Sequence, residues 1–189
     1  ENYSFAKIVL FFNSFNMKKI ILLVLVVVPF TTLWAQGGSK ALFKLPEANL
    51  QTMDGKPFNT KNLQNDGKPI LLTFWATWCK PCMKEHDAIN DLYDEWIEET
   101  GVKIYAISID DTRSAKRVMP TVNGKGWEFD VLLDTNGDFK RLMNVNIPPH
   151  VFVLNGKKEV VWQHVGYLDG DEAKYIDVIR NVLAGKPVE

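Results

Sequence analysis

Apolar residues in this chain alternate between short unbroken runs and stretches of helical spacing. Ile70–Trp75 is apolar apart from one threonine, which is typical of a strand buried on both faces. Over residues 81–100 the apolar positions take helical spacing, which predicts one helix with Ile89 and Trp96 on its buried side. A second strand is predicted for residues 102–109. Strand, helix and strand in this order form a βαβ unit with parallel strands.

Turn residues and spacing predict the elements that follow this unit. Residues 110–112 (Asp-Asp-Thr) are expected to cap a helix over residues 113–122. A strand over residues 129–133 and a short helix over residues 139–143 come next.

The last predicted elements are a hairpin and a helix. Residues 151–154 and 160–164 predict antiparallel strands, because Asn155-Gly156 between them is a strong hairpin signal. The final helix is expected to begin at residues 169–172. Together these elements predict an α/β fold: a mixed central sheet with helices on both faces.

The amino-terminal part of the chain has the pattern of a targeting segment. Residues 17–35 combine a basic start (Met-Lys-Lys), an apolar run and a Leu-Trp-Ala cleavage site, which predicts a signal peptide. The apolar run is shorter than the roughly 20 residues that span a bilayer, and an uncleaved anchor is the alternative. Residues 1–16 are interpreted as an upstream extension, 36–44 as a flexible leader and 45–185 as the folded domain. We therefore expect export to the periplasm.

Charge and cysteine content narrow the function classes. A chain of 189 residues with a net charge of −1 suggests one domain and gives no reason to expect a nucleic-acid partner. The two cysteines are only two residues apart, so they cannot form a disulfide scaffold. A pair at this spacing indicates redox or metal chemistry.

Cys79 and Cys82 lie where the predicted central strand gives way to the helix. The free N–H groups at the start of a helix favour thiolate over thiol, so the pKa of Cys79 is expected within about 3.5–7.5 instead of about 8.5. Lys80 adds a positive charge, and Pro81 suits the first helical turn. We expect Cys79 to be the nucleophile and Cys82 the resolving thiol of a redox-active disulfide.

The stretch Trp78-Cys79-Lys80-Pro81-Cys82 after Phe74-Trp75-Ala76 resembles the active site of the thioredoxin superfamily. It is most similar to TlpA/ResA-like periplasmic thiol-disulfide oxidoreductases, over about residues 45–183. The resemblance implies a thioredoxin-like fold with an N-terminal β-hairpin, around Asp54-Gly55, and a βα insertion over residues 129–143. It also implies disulfide exchange with protein cysteines, no cofactor and a membrane electron donor. We expect a monomer.

Further site residues follow from this resemblance. Pro149 falls at the family's cis-proline and Pro148 precedes it, although a register one residue earlier would make Pro148 the cis residue. Glu85 matches an acid that ResA-like proteins keep near the dithiol, the alternative being an exposed helix glutamate. Trp78 is expected to wall the substrate site and His150 to border it. The buried aspartate of thioredoxin itself corresponds to Thr73 in this chain, which leaves Glu85 as the local candidate base.

A metal-binding function is the alternative from a different class. Cys79, Cys82 and either His86 or His150 would supply soft ligands for a copper-binding metallochaperone. The Trp-Cys-Lys-Pro-Cys context explains the cysteines without a metal, so we expect no metal site. A peroxide-reducing relative would carry its nucleophile in a different motif.

Overall fold

The computed structural model describes residues 39–188 as one mixed sheet with five α-helices. The expected extension and signal peptide, residues 1–35, lie outside the described residues. The strands are β1 (Phe43–Lys44), β2 (Asn49–Thr52), β3 (Pro57–Asn59), β4 (Ile70–Trp75), β5 (Lys103–Ser108), β6 (Asp130–Leu133), β7 (His150–Leu154) and β8 (Glu159–Val165). The helices are α1 (Lys80–Asp91), α2 (Tyr93–Thr100), α3 (Val118–Lys125), α4 (Asp138–Leu142) and α5 (Glu172–Leu183).

The eight strands follow the order β1-β8-β7-β4-β5-β6-β2-β3. The central strand, β4, is buried along its whole length, as its unbroken apolar run predicts. It pairs with β5 in parallel and with β7 antiparallel. The predicted βαβ unit and the predicted hairpin of β7 and β8 are therefore confirmed. Helices cover both faces, and the predicted fold class is confirmed.

Successive side chains of β4 point to opposite faces of the sheet and contribute to two hydrophobic cores. Leu71 and Trp75 face a core that also contains buried residues of α1, α2, α3 and α5. Leu72 and Phe74 face a second core, closed by Phe139 of α4 and by residues next to and within the hairpin of β2 and β3. That hairpin forms as expected and also pairs with β6. Within residues 39–188, no helix is both long and apolar enough to cross a membrane.

The helix predicted for residues 81–100 is two helices. Leu92 leaves helical geometry (φ −109°, ψ 4°) between α1 and α2, and Gly101 ends α2 in the left-handed conformation (φ 62°). Asp87 lies within α1. Its carboxylate accepts hydrogen bonds from Lys125 Nζ (2.6 Å) and Trp127 Nε1 (3.0 Å).

The predicted start of the helix over residues 113–122 is wrong. A 3-10 turn, Ala115–Arg117, precedes α3, which begins at Val118. Asp111 caps the turn that precedes this 3-10 segment. Its carboxylate accepts hydrogen bonds from the backbone N–H groups of Arg113 and Ser114. Asp110 caps no helix, and its carboxylate accepts hydrogen bonds from Thr77 and Ser108. At the end of the predicted leader, β1 pairs with β8.

Candidate active site

Cys79 and Cys82 form a disulfide at the start of α1, with their Cα atoms 5.3 Å apart. Cys79 is the N-cap of α1, and its sulfur accepts a hydrogen bond from the Cys82 N–H at 3.3 Å. The positive end of the helix therefore faces Cys79, as predicted from the sequence. Cys79 is 5% exposed and Cys82 is fully buried, so Cys79 is the more accessible sulfur.

Glu85 lies one helical turn after Cys82, on the same buried face of α1. Its carboxyl group is fully buried and accepts hydrogen bonds from Thr73 Oγ1 and Tyr175 Oη, both at 2.8 Å. Burial raises the pKa of Glu85 to about 7, against the opposing effect of the two hydroxyl donors. The alternative of an exposed helix glutamate is therefore wrong.

His86 is buried beside Glu85 in an aromatic enclosure. Its Nε2 lies 3.4 Å from Thr73 Oγ1 and 3.9 Å from Glu85 Oε2. The rings of Trp75, Trp127 and Phe129 surround it, with centroids between 4.7 and 5.2 Å away. Burial lowers the pKa of His86 to about 3, so the imidazole is neutral at physiological pH.

When Glu85 is ionised, Thr73 donates its single hydroxyl proton to that carboxylate, so His86 Nε2 is left to donate to the Thr73 oxygen. Nδ1 is then the unprotonated nitrogen, and it has no hydrogen-bond partner within the described residues. The sequence alone predicts His86 only as one of two candidate metal ligands. Its enclosure depends on Trp127 and Phe129, about 40 residues further along the chain.

The peptide bond between Pro148 and Pro149 is cis, which confirms Pro149 as the cis residue. The Pro149 carbonyl accepts from the Gly166 N–H at 2.8 Å. The next residue, His150, begins β7 opposite Phe74 of β4. This pairing places the diproline at the end of the sheet where β4 leads into the dithiol.

His150 does not share the Glu85 cluster. Its ring is buried, stacks on Phe152 at 4.2 Å between centroids and contacts Gln163 Oε1 through Nε2 at 3.1 Å. Phe152 belongs to the second core, so the His150 ring lies on the face of the sheet away from α1. Among residues 39–188, no group of three or more His, Cys, Asp or Glu side chains is placed to hold a metal ion.

The loop that carries Trp78 is fixed by Asp110, a buried acid that sequence reasoning took for a helix cap. One carboxylate oxygen accepts from the Thr77 N–H (2.8 Å) and the Ser108 hydroxyl (2.9 Å), and the other from the Thr77 hydroxyl (2.6 Å). Trp78 itself is 60% exposed next to Cys79. The signal for this role in the sequence is the position of Asp110 directly after the strand predicted for residues 102–109.

Comparison with known proteins agrees with this geometry. The sequence profile described as "AhpC/TSA family" matches residues 43–163. The chain belongs to the AhpC/TSA family. It is 36% identical over 121 residues to the thiol-disulfide oxidoreductase ResA of Bacillus anthracis, covering 64% of this chain and 67% of that protein. It is 31% identical over 123 residues to the thiol:disulfide interchange protein DsbE of Haemophilus influenzae, covering 65% of this chain and 64% of that protein.

Solved structures give the same result for the fold. A thioredoxin-like protein from Porphyromonas gingivalis is 44% identical with a TM-score of 0.68, over 77% of this chain and 95% of that one. A putative thiol:disulfide interchange protein DsbE from Chlorobium tepidum is 25% identical with a TM-score of 0.66, over 76% and 98%. The thioredoxin-like fold and the function as a thiol-disulfide oxidoreductase acting on protein cysteines, both predicted from the sequence, are confirmed.

Proposed function

We propose that Cys79 attacks protein disulfides, that Cys82 resolves the mixed disulfide, and that Glu85 takes the Cys82 proton. The observation that carries this division is the asymmetry of the pair. Cys79 caps α1 and has an accessible edge, whereas Cys82 is fully buried one turn before a buried carboxyl group. A helix N-terminus stabilises a thiolate, and a neighbouring carboxylate can accept a proton from a thiol.

In the reducing direction, the Cys79 thiolate forms a bond to one substrate sulfur and the other substrate sulfur leaves as a thiolate. Cys82 then gives its proton to Glu85 and attacks the Cys79 sulfur. The enzyme disulfide forms, the second substrate thiolate leaves, and two electrons have passed from the dithiol to the substrate. The pKa of Glu85, about 7, suits a group that accepts and returns protons at neutral pH.

Substrate contacts are assigned to residues around the Cys79 edge. The exposed Trp78 indole offers an apolar surface, and Pro148 and Pro149 offer backbone at the end of β4. Pro148 has no N–H, so it contributes only a carbonyl acceptor to an extended substrate. His150 contributes through its pairing with Phe74, which holds the diproline in place.

We place this activity in the periplasm, on the basis of the signal-peptide pattern of residues 17–35. A membrane protein is the proposed electron donor, and the domain is proposed to act as a monomer. Cell fractionation with mass determination of the mature protein tests the location. Light scattering of the purified protein tests the monomer.

Trapping tests the assigned roles. Cys82→Ser should accumulate mixed disulfides on Cys79, whereas Cys79→Ser should abolish exchange with insulin in the presence of dithiothreitol. In the reduced wild type at pH 6, iodoacetamide should label Cys79 first. Labelling of Cys82 first would reverse the two roles. Binding of Cu(I) with no acceleration of insulin reduction would favour the copper-carrier alternative.

A further inference from the structure

A groove of about 440 Å³ is lined in part by Trp78, the residue before Cys79, and its other lining residues have no role in the proposed disulfide exchange. It is called here the Trp78 groove, and its lining residues are Trp78, Ile109, Asp111, Arg113, Ser114 and Arg117. One wall comes from the loop after β4, which also carries Cys79. The other comes from the segment after β5 and from the 3-10 turn. The groove is therefore continuous with the reacting loop.

The charge of the groove is positive. Arg113 is neutralised by Asp111, which accepts from its Nε at 3.1 Å and its Nη2 at 2.9 Å. Asp111 is occupied further by the Ser114 hydroxyl at 2.8 Å. Arg117 is exposed, and its guanidinium has no ion-pair or hydrogen-bond partner among residues 39–188. One guanidinium is thus left to bind an anion that enters the groove.

The remaining lining is apolar and fixed. The Trp78 indole is 60% exposed, and Ile109 is half-buried next to it. The carboxylate of Asp110 bonds the backbone and hydroxyl of Thr77 and so ties the Trp78 loop to the end of β5. Because the two walls are already held together, little ordering is needed when a ligand binds.

We propose that the Trp78 groove selects client polypeptides that carry an acidic side chain beside the reactive cysteine. The carboxylate binds Arg117, whose planar guanidinium matches carboxylate geometry, and a neighbouring apolar residue packs on Trp78. The proposal rests on the proposed attack by Cys79, since that residue fixes where the client cysteine lies. A polypeptide is the occupant because the groove adjoins a sulfur that exchanges with protein cysteines.

Three synthetic peptides of equal length test the proposal. Each contains one cysteine blocked as its disulfide with methanethiol, and they differ only in whether Glu, Gln or Lys occupies the flanking position next to a leucine. The reduced protein transfers two electrons to each peptide disulfide and releases peptide thiol and methanethiol. Rate constants are measured by rapid quenching and chromatography in low salt and in 0.5 M salt.

We expect the wild type to reduce the Glu peptide about fivefold faster than the Lys peptide in low salt, with a smaller ratio in high salt. In Arg117→Gln the ratio should fall below about twofold, and in Arg117→Glu it should invert. The Gln peptide gives each variant its own reference rate, because its neutral amide has no charge for residue 117 to attract or repel. Lys157→Gln, an exposed lysine at the turn between β7 and β8, is the matched control and should keep the wild-type ratio.

Equal wild-type rates for the Glu and Lys peptides would overturn the groove as a selectivity site while leaving the disulfide chemistry intact. An unchanged ratio in Arg117→Gln would do the same. If the wild type reduces none of the three peptides under conditions where dithiothreitol reduces them all, the proposed attack by Cys79 fails, and the groove proposal fails with it.

Discussion

Packing around Glu85 changes the protonation of its carboxyl group. Its carboxyl group is removed from water, which disfavours the charged form, yet the hydroxyls of Thr73 and Tyr175 favour that form. The balance holds the pKa at about 7. Near neutral pH the protonated and ionised states are therefore similarly populated, and one carboxyl group can serve exchange in both directions.

Replacing Glu85 by glutamine tests this role. Glu85→Gln should slow the attack of Cys82 on the mixed disulfide by about 10- to 100-fold, because the thiol loses its proton acceptor. The first attack by Cys79 should keep its rate. Rapid quenching followed by mass spectrometry measures both steps.

Glu98→Gln is the matched control for this change, since Glu98 is exposed on α2. It should leave both steps unaltered. Equal slowing of the two steps in Glu85→Gln, or no slowing of either, would return Glu85 to a purely structural role.

At this scale the sequence predicts the positions of the reacting groups better than their surroundings. Spacing and the strand-to-helix change identify Cys79 and Cys82, and the helical period puts Glu85 one turn further. Its burial depends on Tyr175, which is 90 residues away in the chain and on a different helix. Local patterns contain no information on such a contact.

At the scale of elements, α1 presents a buried acid and a buried base in succession. The native pKa of Glu85 is raised above its ordinary 4.5, so its contribution to stability is fully present below pH 4.5 and is lost as the pH rises through 7. The native pKa of His86 is lowered from 6.5, so its contribution is present above pH 6.5 and is lost as the pH falls toward 3. Between pH 7 and pH 5 the two effects oppose each other.

Single substitutions should separate the two effects. Relative to the wild type, the free energy of unfolding of Glu85→Gln should fall by about 2 kcal/mol between pH 7 and pH 5. That of His86→Phe should rise by about 2 kcal/mol over the same interval, and the double variant should follow the wild type. Asp171 near Glu85 and Asp87 near His86 each favour protonation of their neighbour and stay in place in all four proteins.

Urea denaturation of the oxidised proteins at both pH values provides the measurement. Because each variant is compared with the wild type at the same pH, contributions from other titrating groups cancel. Parallel pH profiles for the two single variants would show that Glu85 and His86 do not titrate with opposite effects on stability.

A second feature at the element scale is the set of hydrogen bonds by which Asp110, after β5, holds the loop that follows β4. Asp110→Asn should lower the free energy of unfolding by about 2 kcal/mol. Its single amide oxygen cannot replace both carboxylate oxygens, one of which accepts from the Thr77 N–H and the Ser108 hydroxyl and the other from the Thr77 hydroxyl. Thr77→Val removes only the hydroxyl bond and should cost about 1 kcal/mol. Urea denaturation of the oxidised variants measures both values. If Asp110→Asn were as stable as the wild type, the Asp110 carboxylate would not stabilise the fold through these hydrogen bonds.

Element boundaries were the least accurate part of the sequence prediction. The apolar period continues through Leu92, although the helix is interrupted there. The two consecutive aspartates predict one helix cap, but Asp111 caps only the turn before the 3-10 segment, and Asp110 bonds to Thr77 in the loop after β4. The second difference arises from a tertiary contact that overrules local preference.

At the scale of the whole molecule, the two faces of the sheet are covered by different amounts of helix. The face with α1 is covered by four helices, whereas the other depends on the five-residue α4 and the region of the N-terminal hairpin. Phe139 attaches α4 by packing against Phe74, with ring centroids 5.2 Å apart. The sequence predicted the strands and helices of both layers but not the thinness of the second one.

Truncation of Phe139 should therefore be costly. Phe139→Ala should reduce the free energy of unfolding by about 3–4 kcal/mol, because it leaves a cavity under a short helix. Leu142→Ala, on the same helix but 55% exposed, should cost less than about 1 kcal/mol. Thermal and urea denaturation compare the two. Similar losses would mean that α4 contributes little to the second core.

The bond between Asp110 and Thr77 also has a consequence for how this protein could be re-engineered. The proposed nucleophile, Cys79, and the proposed proton acceptor, Glu85, lie at the start and in the first turns of α1, while the charged wall of the Trp78 groove lies on the segment after β5. Besides the pairing of β4 with β5, the two parts are joined by the Asp110 carboxylate, which accepts from the Thr77 N–H and from the hydroxyls of Thr77 and Ser108. Residues 111–117 can thus be exchanged as a cassette between related chains, with Asp110 retained as the joint. Such chimeras would carry new client preferences on an unchanged redox centre.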